Sequence, residues 1–280
     1  DLGRHHLTLL ATPGHKDFSE HTYRTLFAVD RVVMVIDVAK GIESQTRKLF
    51  EVCKLRRLPV LTFINKLDLP SRDPFDLLDE IERVLGIHAV PMNWPIGSGD
   101  RFRGVYDLQQ GLVHLYDRKE RAHPAPVNVG SVDDPQLKEL VGESAWKTLV
   151  EESSLVTGAG TAFDHQDYLD FKHTPVFFGS ALSNFGLEPF LYALTELAPP
   201  PKGRESDQGV IPPEAPNFSA FVFKIQANMN KRHRDRVAFL RVCSGVFEKD
   251  MVITNAGGGQ EIRASRPYRF FGGKRETIEK

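Results

Sequence analysis

Val60-Leu61-Thr62-Phe63-Ile64-Asn65-Lys66-Leu67-Asp68 passes without a break from a strand-forming run into a polar quartet. The first five residues carry no charge, the pattern of a strand buried on both faces. Asn65, Lys66 and Asp68 then fall at its carboxyl end. A similar run, Val32-Val33-Met34-Val35-Ile36, lies upstream, and Pro175-Val176-Phe177-Phe178 lies downstream. Between the first two, Glu43 to Arg57 reads as a helix with Thr46, Leu49, Phe50 and Cys53 on one face. After the quartet, Asp73 is placed to cap a helix and Pro74 to occupy its first position, with Leu77, Leu78, Ile81, Val84 and Leu85 as the apolar stripe. A further helix covers Glu188 to Leu197, and near the start Leu7-Thr8-Leu9-Leu10 reads as a short strand before a helix at Phe18 to Val29. Strands alternating with helices imply an α/β fold with a parallel sheet.

The rhythm changes at about Trp94 and returns near Gly160. Phe102 to Tyr116 reads as a β-hairpin and Pro135 to Val156 as a helix, so residues 94–160 are expected to form an insertion within a domain at residues 1–200. Six prolines between Ala198 and Pro216 mark a linker, assigned to residues 201–216. Beyond it, Phe218 to Gln226 and Arg236 to Val242 alternate apolar with polar residues, and Val252 to Thr254 and Glu261 to Arg263 extend the pattern. Residues 217–280 are therefore expected to be a β domain, a barrel cut short by the chain end. The chain opens on Asp1 rather than methionine, and Lys274 to Lys280 complete no element, so it reads as a piece of a longer protein.

A net charge of −1 over 280 residues excludes a global basic field, though local patches can still dock a polyanion. Cys53 and Cys243 are too few and too far apart for a disulfide framework, which fits a reducing cytosol. No apolar run is long enough to span a membrane. His5-His6 lacks further ligands at metal spacing and reads as an exposed strand edge.

Three loops at strand ends carry the chemistry. A carboxylate at Asp68 can accept both the N1–H and the exocyclic amine of guanine; adenine offers neither and would leave the carboxylate desolvated and unpaired. Asn65 can bridge such a base to neighbouring loops, and the stem of Lys66 can lie along its plane. In Thr12-Pro13-Gly14-His15, Gly14 can bring its N–H against a terminal phosphate and His15 can orient an attacking water. After Gly179, the small residues of Ser180-Ala181-Leu182 let backbone N–H groups reach guanine O6. Each loop taken singly also fits a polar strand-end turn. Their joint occurrence, in this order and at the carboxyl ends of strands, points to a nucleotide crevice.

Ala11-Thr12-Pro13-Gly14-His15-Lys16-Asp17-Phe18, the Asn-Lys-Leu-Asp loop and the Ser-Ala-Leu loop resemble the third, fourth and fifth signature motifs of translational GTPases. Ser19 to Asp30, Trp94 to Leu108 and Phe221 to Gly245 resemble the release-factor branch of that family, and the likeness runs over nearly the whole chain. The resemblance implies a P-loop-type GTPase domain followed by a β-barrel domain, with GTP or GDP and Mg²⁺ as ligands. It implies a cytoplasmic protein whose partners are the ribosome and the codon-reading release factors it recycles. His15 would be the catalytic residue, and Thr12, Pro13, Gly14, His15, Asn65, Lys66, Asp68, Ser180, Ala181 and Leu182 would bind nucleotide. The basic run Lys231, Arg232, His233, Arg234 and Arg236 is either a solvated loop or a contact to ribosomal RNA phosphates or another ribosomal surface.

The sequence also departs from that family. Ala11 stands where the family has an aspartate that helps hold Mg²⁺ through water. The phosphate loop Gly-x-x-x-x-Gly-Lys-Ser/Thr is not found: Gly273-Lys274 is followed by Arg275 and has Tyr268 at the first glycine position. The switch threonine segment is missing too. This chain alone is therefore expected to keep guanine recognition and the water-side histidine but to be inactive as a GTPase. An elongation-factor-G-like or ribosomal-protection GTPase, and a non-catalytic interaction module, are the alternative readings.

Overall fold

The computed structural model describes residues 7–12, 20–116, 127–128, 132–227, 236–265, 267–271 and 274–278. Pro13, Gly14 and His15, the His5-His6 pair, and Lys231, Arg232, His233 and Arg234 lie outside these. The chain divides into two compact units, Asp1–Pro199 and Pro200–Lys280.

In the first unit, α1 (Glu20–Leu26) leads to β1 (Val32–Asp37), α2 (Ser44–Leu55), β2 (Val60–Asn65), α3 (Pro74–Leu85) and β3 (His88–Pro91). A second set follows: β4 (Asn93–Ile96), β5 (Gly104–Asp107), β6 (Leu112–Leu115), β7 (Val127–Asn128), α4 (Pro135–Val141) and α5 (Glu143–Ala159). The chain then returns through α6 (His165–Leu169), β8 (His173–Phe178) and α7 (Leu187–Glu196). β1, β2, β8 and β3 form a parallel sheet in that order. β4 to β7 form a separate antiparallel sheet in sequence order.

The apolar runs behave as their lack of polar breaks requires. Val60 to Ile64 and the whole of β8 are buried. The two buried threonines are satisfied: Thr174 Oγ1 donates to the Val60 carbonyl at 2.8 Å, so the 2.8 Å contact with the Thr62 hydroxyl has Thr62 as donor; His173 Nδ1, at the start of β8, has no partner among the described residues. Asp73 caps α3 by accepting from Phe75 N at 2.8 Å, and Gly86 ends it in the left-handed conformation (φ 67°). Packing divides between two clusters. One gathers Met34, Ile36, Phe50, Ile64, Ile81 and Phe178; the other gathers Leu61, Phe63, Val90, Phe177, Phe190 and Leu194.

The insertion is not a separate body. Trp94, Ile96, Phe102, Val105, Val113, Leu137 and Leu149 belong to the same cluster as Ile64 and Phe178. The join runs through Met92 and Asn93. Met92 N donates to the Val176 carbonyl (2.9 Å), and its own carbonyl accepts from Leu108 N (3.0 Å).

Several expectations need correction. Residues 7–10 form no strand. A strand exists as a hydrogen-bonded ladder, and none among the described residues pairs with this run, so Leu9 is 74% exposed while Leu7 packs against the second cluster. The single helix expected over Pro135 to Val156 is two, because Gly142 (φ 87°) breaks it. β3 was not anticipated: it has four residues, and Pro91 disguises it, although a proline is compatible with a sheet-edge position. The expected linker contains a short antiparallel pair, β9 (Arg204–Ser206) with β10 (Gly209–Ile211).

That pair opens the second unit. β11 (Ser219–Ala227) pairs antiparallel with β12 (Arg236–Ser244), β13 (Val252–Thr254) with β14 (Glu261–Arg263), and β15 (Tyr268–Phe271) with β16 (Lys274–Thr277). Alternate residues of β12 are exposed, as the period-two pattern required, and register slips between Val222 and Lys224 mark an irregularity in β11. Among the described residues no helix is long and apolar enough to cross a membrane.

Trp94 sits at the centre of the insertion joint. It is fully buried, its ring centroid lies 4.8 Å from Phe75 and 5.5 Å from Phe178, and Nε1 donates to Glu152 Oε2 at 2.7 Å. Burial pushes the Glu152 carboxyl above the usual range, and the indole bond only partly opposes this. With its folded value raised, Glu152 disfavours folding increasingly as pH rises from the ordinary carboxyl range through that raised value. Glu152→Gln keeps an acceptor for the indole and removes the charge. Urea unfolding across pH should show the variant more stable than the parent at pH 7 and converging with it in acid. A variant less stable than the parent at every pH would contradict this.

Candidate functional site

β1, β2 and β8 are parallel, so their carboxyl ends lie side by side. Asp37 and Asn65 are register partners at the ends of β1 and β2. The chain continues the ladder past both: Val38 N donates to Asn65 O (3.0 Å), Gly179 N to Ile64 O (3.0 Å) and Leu67 N to Gly179 O (3.2 Å). Buried Leu67 thus anchors the Asn-Lys-Leu-Asp loop against the loop after β8.

Asn65 fastens the two loops through its side chain. Oδ1 accepts from Lys66 N at 2.8 Å and from Ala181 N at 2.8 Å. Both donors are backbone N–H groups, which fixes the orientation of the amide and leaves Nδ2 as a two-proton donor for an outside acceptor. Lys66 adopts φ 74°, a left-handed conformation that costs a non-glycine residue about 1 kcal/mol or more and persists where its surroundings hold it. Its Nζ lies 2.7 Å from Asp37 Oδ2. The other oxygen, Oδ1, accepts from Ala39 N (2.9 Å) and Lys40 N (3.3 Å). The Lys66 hydrogen bond holds the Asp37 carboxyl below the usual carboxylate range, and Asp37 in turn raises Lys66.

Asp68 is half-buried, and among the described residues no hydrogen bond or ion pair engages its carboxylate, so both oxygens remain acceptors. A Cβ on Gly179 would lie 2.4 Å from the Phe185 carbonyl, so the close approach there admits only glycine. Ser180 is buried and exchanges backbone bonds with Phe185 (2.8 and 2.9 Å). Ala181 is exposed with its N–H committed to Asn65, and Leu182 is 90% exposed. The Leu182 N–H is therefore the donor of this loop that no described residue occupies.

Asn65, Lys66, Asp68, Ser180 and Ala181 are thus brought into one connected arrangement, with Leu182 beside them. Thr12 and Ala11 are exposed, and Pro13, Gly14 and His15 lie outside the described residues. The methyl group of Ala11 offers no ligand, and among the described residues no group of three His, Cys, Asp or Glu side chains can hold a metal ion. These residues do not furnish the Mg²⁺ support that the family resemblance implies.

Sequence reading passed over Asp37, although it ends β1 as Asn65 ends β2. It also passed over the brace behind Asp37. Gly41 (φ 70°) lies where a Cβ would strike Arg72 and Glu80, the Arg72 guanidinium pairs with Glu80 at 2.5 Å, and Ile42 N donates to Glu80 Oε1 at 3.2 Å. The arrangement offers one fixed amide donor, one free carboxylate and one restrained lysine at adjacent strand ends. It is suited to read the edge of a planar base that presents two adjacent donors.

The family model for the elongation factor Tu GTP binding domain matches residues 2–200, and that for elongation factor G domain 2 matches residues 217–280. The chain is similar to peptide chain release factor 3 of Gloeobacter violaceus, 55% identical over 274 residues, covering 98% of this chain and 52% of the relative. It is similar to peptide chain release factor 3 of Trichodesmium erythraeum, 52% identical over 274 residues, covering 98% of this chain and 51% of the relative. The chain thus spans about half the length of these curated relatives. A solved structure from Thermus thermophilus shares the fold, with a TM-score of 0.68 at 22% identity, over 96% of this chain and 39% of that one.

Asn65→Ala removes the acceptor that Lys66 N and Ala181 N share. Each unmet donor costs about 1–3 kcal/mol where it is shielded from water, and less where water replaces the lost partner. Amide exchange should accelerate at Lys66 and Ala181 together while the centre of β2 keeps its protection. Unchanged exchange at Ala181 would show that Asn65 does not fasten the second loop.

Proposed function

The chain belongs to the elongation factor Tu GTP binding domain family, and from that membership we propose that it forms the guanine-reading part of a translation-termination GTPase. The single observation that carries the reading is the Asn65 joint, which ties the Asn-Lys-Leu-Asp loop to the Ser-Ala-Leu loop across adjacent strand ends. Asp68 accepts from N1–H and the 2-amino group of guanine. Asn65 Nδ2 donates to an acceptor on the base, Lys66 covers its face with the alkyl stem, and the Ser180-Ala181-Leu182 backbone addresses O6. Discrimination against adenine follows from the unpaired, desolvated carboxylate that adenine would leave.

Thr12, Pro13 and Gly14 approach the terminal phosphate in this reading, and His15 orients the water that attacks it. In the complete protein, His15 matters for turnover more than for binding, because its contact forms with the attacking water only near the transition state. The names of the relatives support the ribosome and the codon-reading release factors as partners. The basic run from Lys231 to Arg236 is a contact to ribosomal RNA phosphates. Mg²⁺ supplies charge neutralisation at the phosphates in such enzymes.

Asp68→Asn exchanges an acceptor for a donor and should move preference from guanine to xanthine nucleotide. In competition binding with guanosine and xanthosine diphosphates, the ratio of affinities should shift by on the order of a hundredfold. An unchanged guanine preference would remove Asp68 from base recognition.

A further inference from the structure

We propose that the insertion between β3 and β8 is a positioning element for base recognition, acting on the Ser-Ala-Leu loop through Tyr116; this rests on the guanine-reading assignment above. Among the described residues, three sets of hydrogen bonds run from the insertion to backbone that supports a base loop. Gly99 N donates to the Leu67 carbonyl, inside the Asn-Lys-Leu-Asp loop, at 2.8 Å. Asn93 pairs with Phe178, the last residue of β8, by donating from Nδ2 to its carbonyl (3.2 Å) and accepting its N–H at Oδ1 (2.7 Å). The Tyr116 hydroxyl oxygen accepts from Gly186 N at 2.6 Å.

The Asn93 amide replaces a strand. The β3 ladder on β8 ends at Pro91 opposite Val176, and Met92 N takes the Val176 carbonyl. Without Asn93, the N–H and C=O of Phe178 would face the core with no partner, immediately before Gly179-Ser180-Ala181. Tyr116 then secures the far side of the same turn. Its ring stacks on Phe185 at 4.5 Å and 10°. Phe185 is the residue that exchanges both backbone bonds with Ser180. Tyr116 is itself fixed through its N–H to the Arg103 carbonyl (2.9 Å). Gly186 is buried, and a Cβ there would lie 2.6 Å from the Phe178 carbonyl. The turn from Ser180 to Gly186 is thus held between β8 and the insertion, and the place of Ala181 follows from it. A purely space-filling insertion requires the Trp94 and Phe102 packing but not hydrogen bonds that end on both base loops.

Tyr116→Phe tests this, because it keeps the ring on Phe185 and removes only the acceptor for Gly186 N–H. On the full chain without nucleotide, amide exchange across residues 180–186 should rise about tenfold, the effect of about 1.4 kcal/mol. Residues 66–68 should be unaffected. Affinities for GDP and for inosine diphosphate, which lacks the 2-amino group read by Asp68, should then fall together by a similar factor, with their ratio preserved. Ile81→Val in α3 serves as the control for a general loss of core packing and should move neither exchange at 180–186 nor the affinities. Unchanged exchange at 180–186, or raised exchange with both affinities as in the parent, would overturn the inference while leaving the base assignment intact. No preference of the unaltered chain for GDP over ADP would overturn the assignment, and the inference with it.

Discussion

One oxygen atom, Asn65 Oδ1, takes a backbone N–H from Lys66 in its own loop and another from Ala181, 116 residues further along the chain. Its reach depends on β2 lying beside β8, which only a parallel arrangement with crossover connections produces from these apolar runs. The same arrangement sets Asp37 next to Asn65 in register, so the Lys66 ammonium finds a carboxylate at 2.7 Å. That pair is exposed on the lysine side, and its direct contribution to stability is small. Its consequence is geometric: Lys66 is held at φ 74° with its side chain directed to Asp37. Asp68, two residues on, keeps its carboxylate free while Leu67 is buried beneath it. The loop is therefore stiff where it is buried and open where it would meet a ligand.

The insertion shows how a continuous core and a site can be joined. Trp94 packs against Phe75 of α3 and Phe178 of β8, so a residue of the antiparallel sheet closes a space between elements of the parallel one. The polar atoms near it are paired, Nε1 with Glu152 and the Asn93 amide with Phe178, as buried groups require. Small residues make the approach possible. Gly97 (φ 75°) would place a Cβ 2.3 Å from the Arg101 carbonyl, and Gly104 would place one 2.1 Å from the His114 carbonyl.

What could be read in the sequence was what periodicity and local chemistry encode. The Val60 and Val32 runs, the α3 stripe and the Asp73-Pro74 start are local signals, and each reappears in the structure. The quartet at Asn65 was legible because it directly follows a strand with no polar break. Asp37 was not singled out, because its meaning comes from a neighbour 29 residues away. β3 and the Asn93 pairing were illegible for the same reason: four residues ending in proline carry no period, and a side-chain amide acting as a strand has no local signature. Leu7 to Leu10 erred the other way, since a short apolar run alone does not supply a ladder partner. The helix boundary at Gly142 was visible as a residue but not as a break, because a helix interior tolerates a glycine at a cost of only about 1 kcal/mol.

The most direct test of the joined strand-end site is a two-dimensional NMR titration of the ¹⁵N-labelled chain with GDP and, separately, with ADP. The side-chain amide of Asn65 and the backbone amides of Lys66, Ala181 and Leu182 should move with GDP and stay in place with ADP. Equal shifts with both nucleotides, or GDP shifts that leave Asn65 and Ala181 unmoved, would contradict the assignment of these loops to guanine recognition.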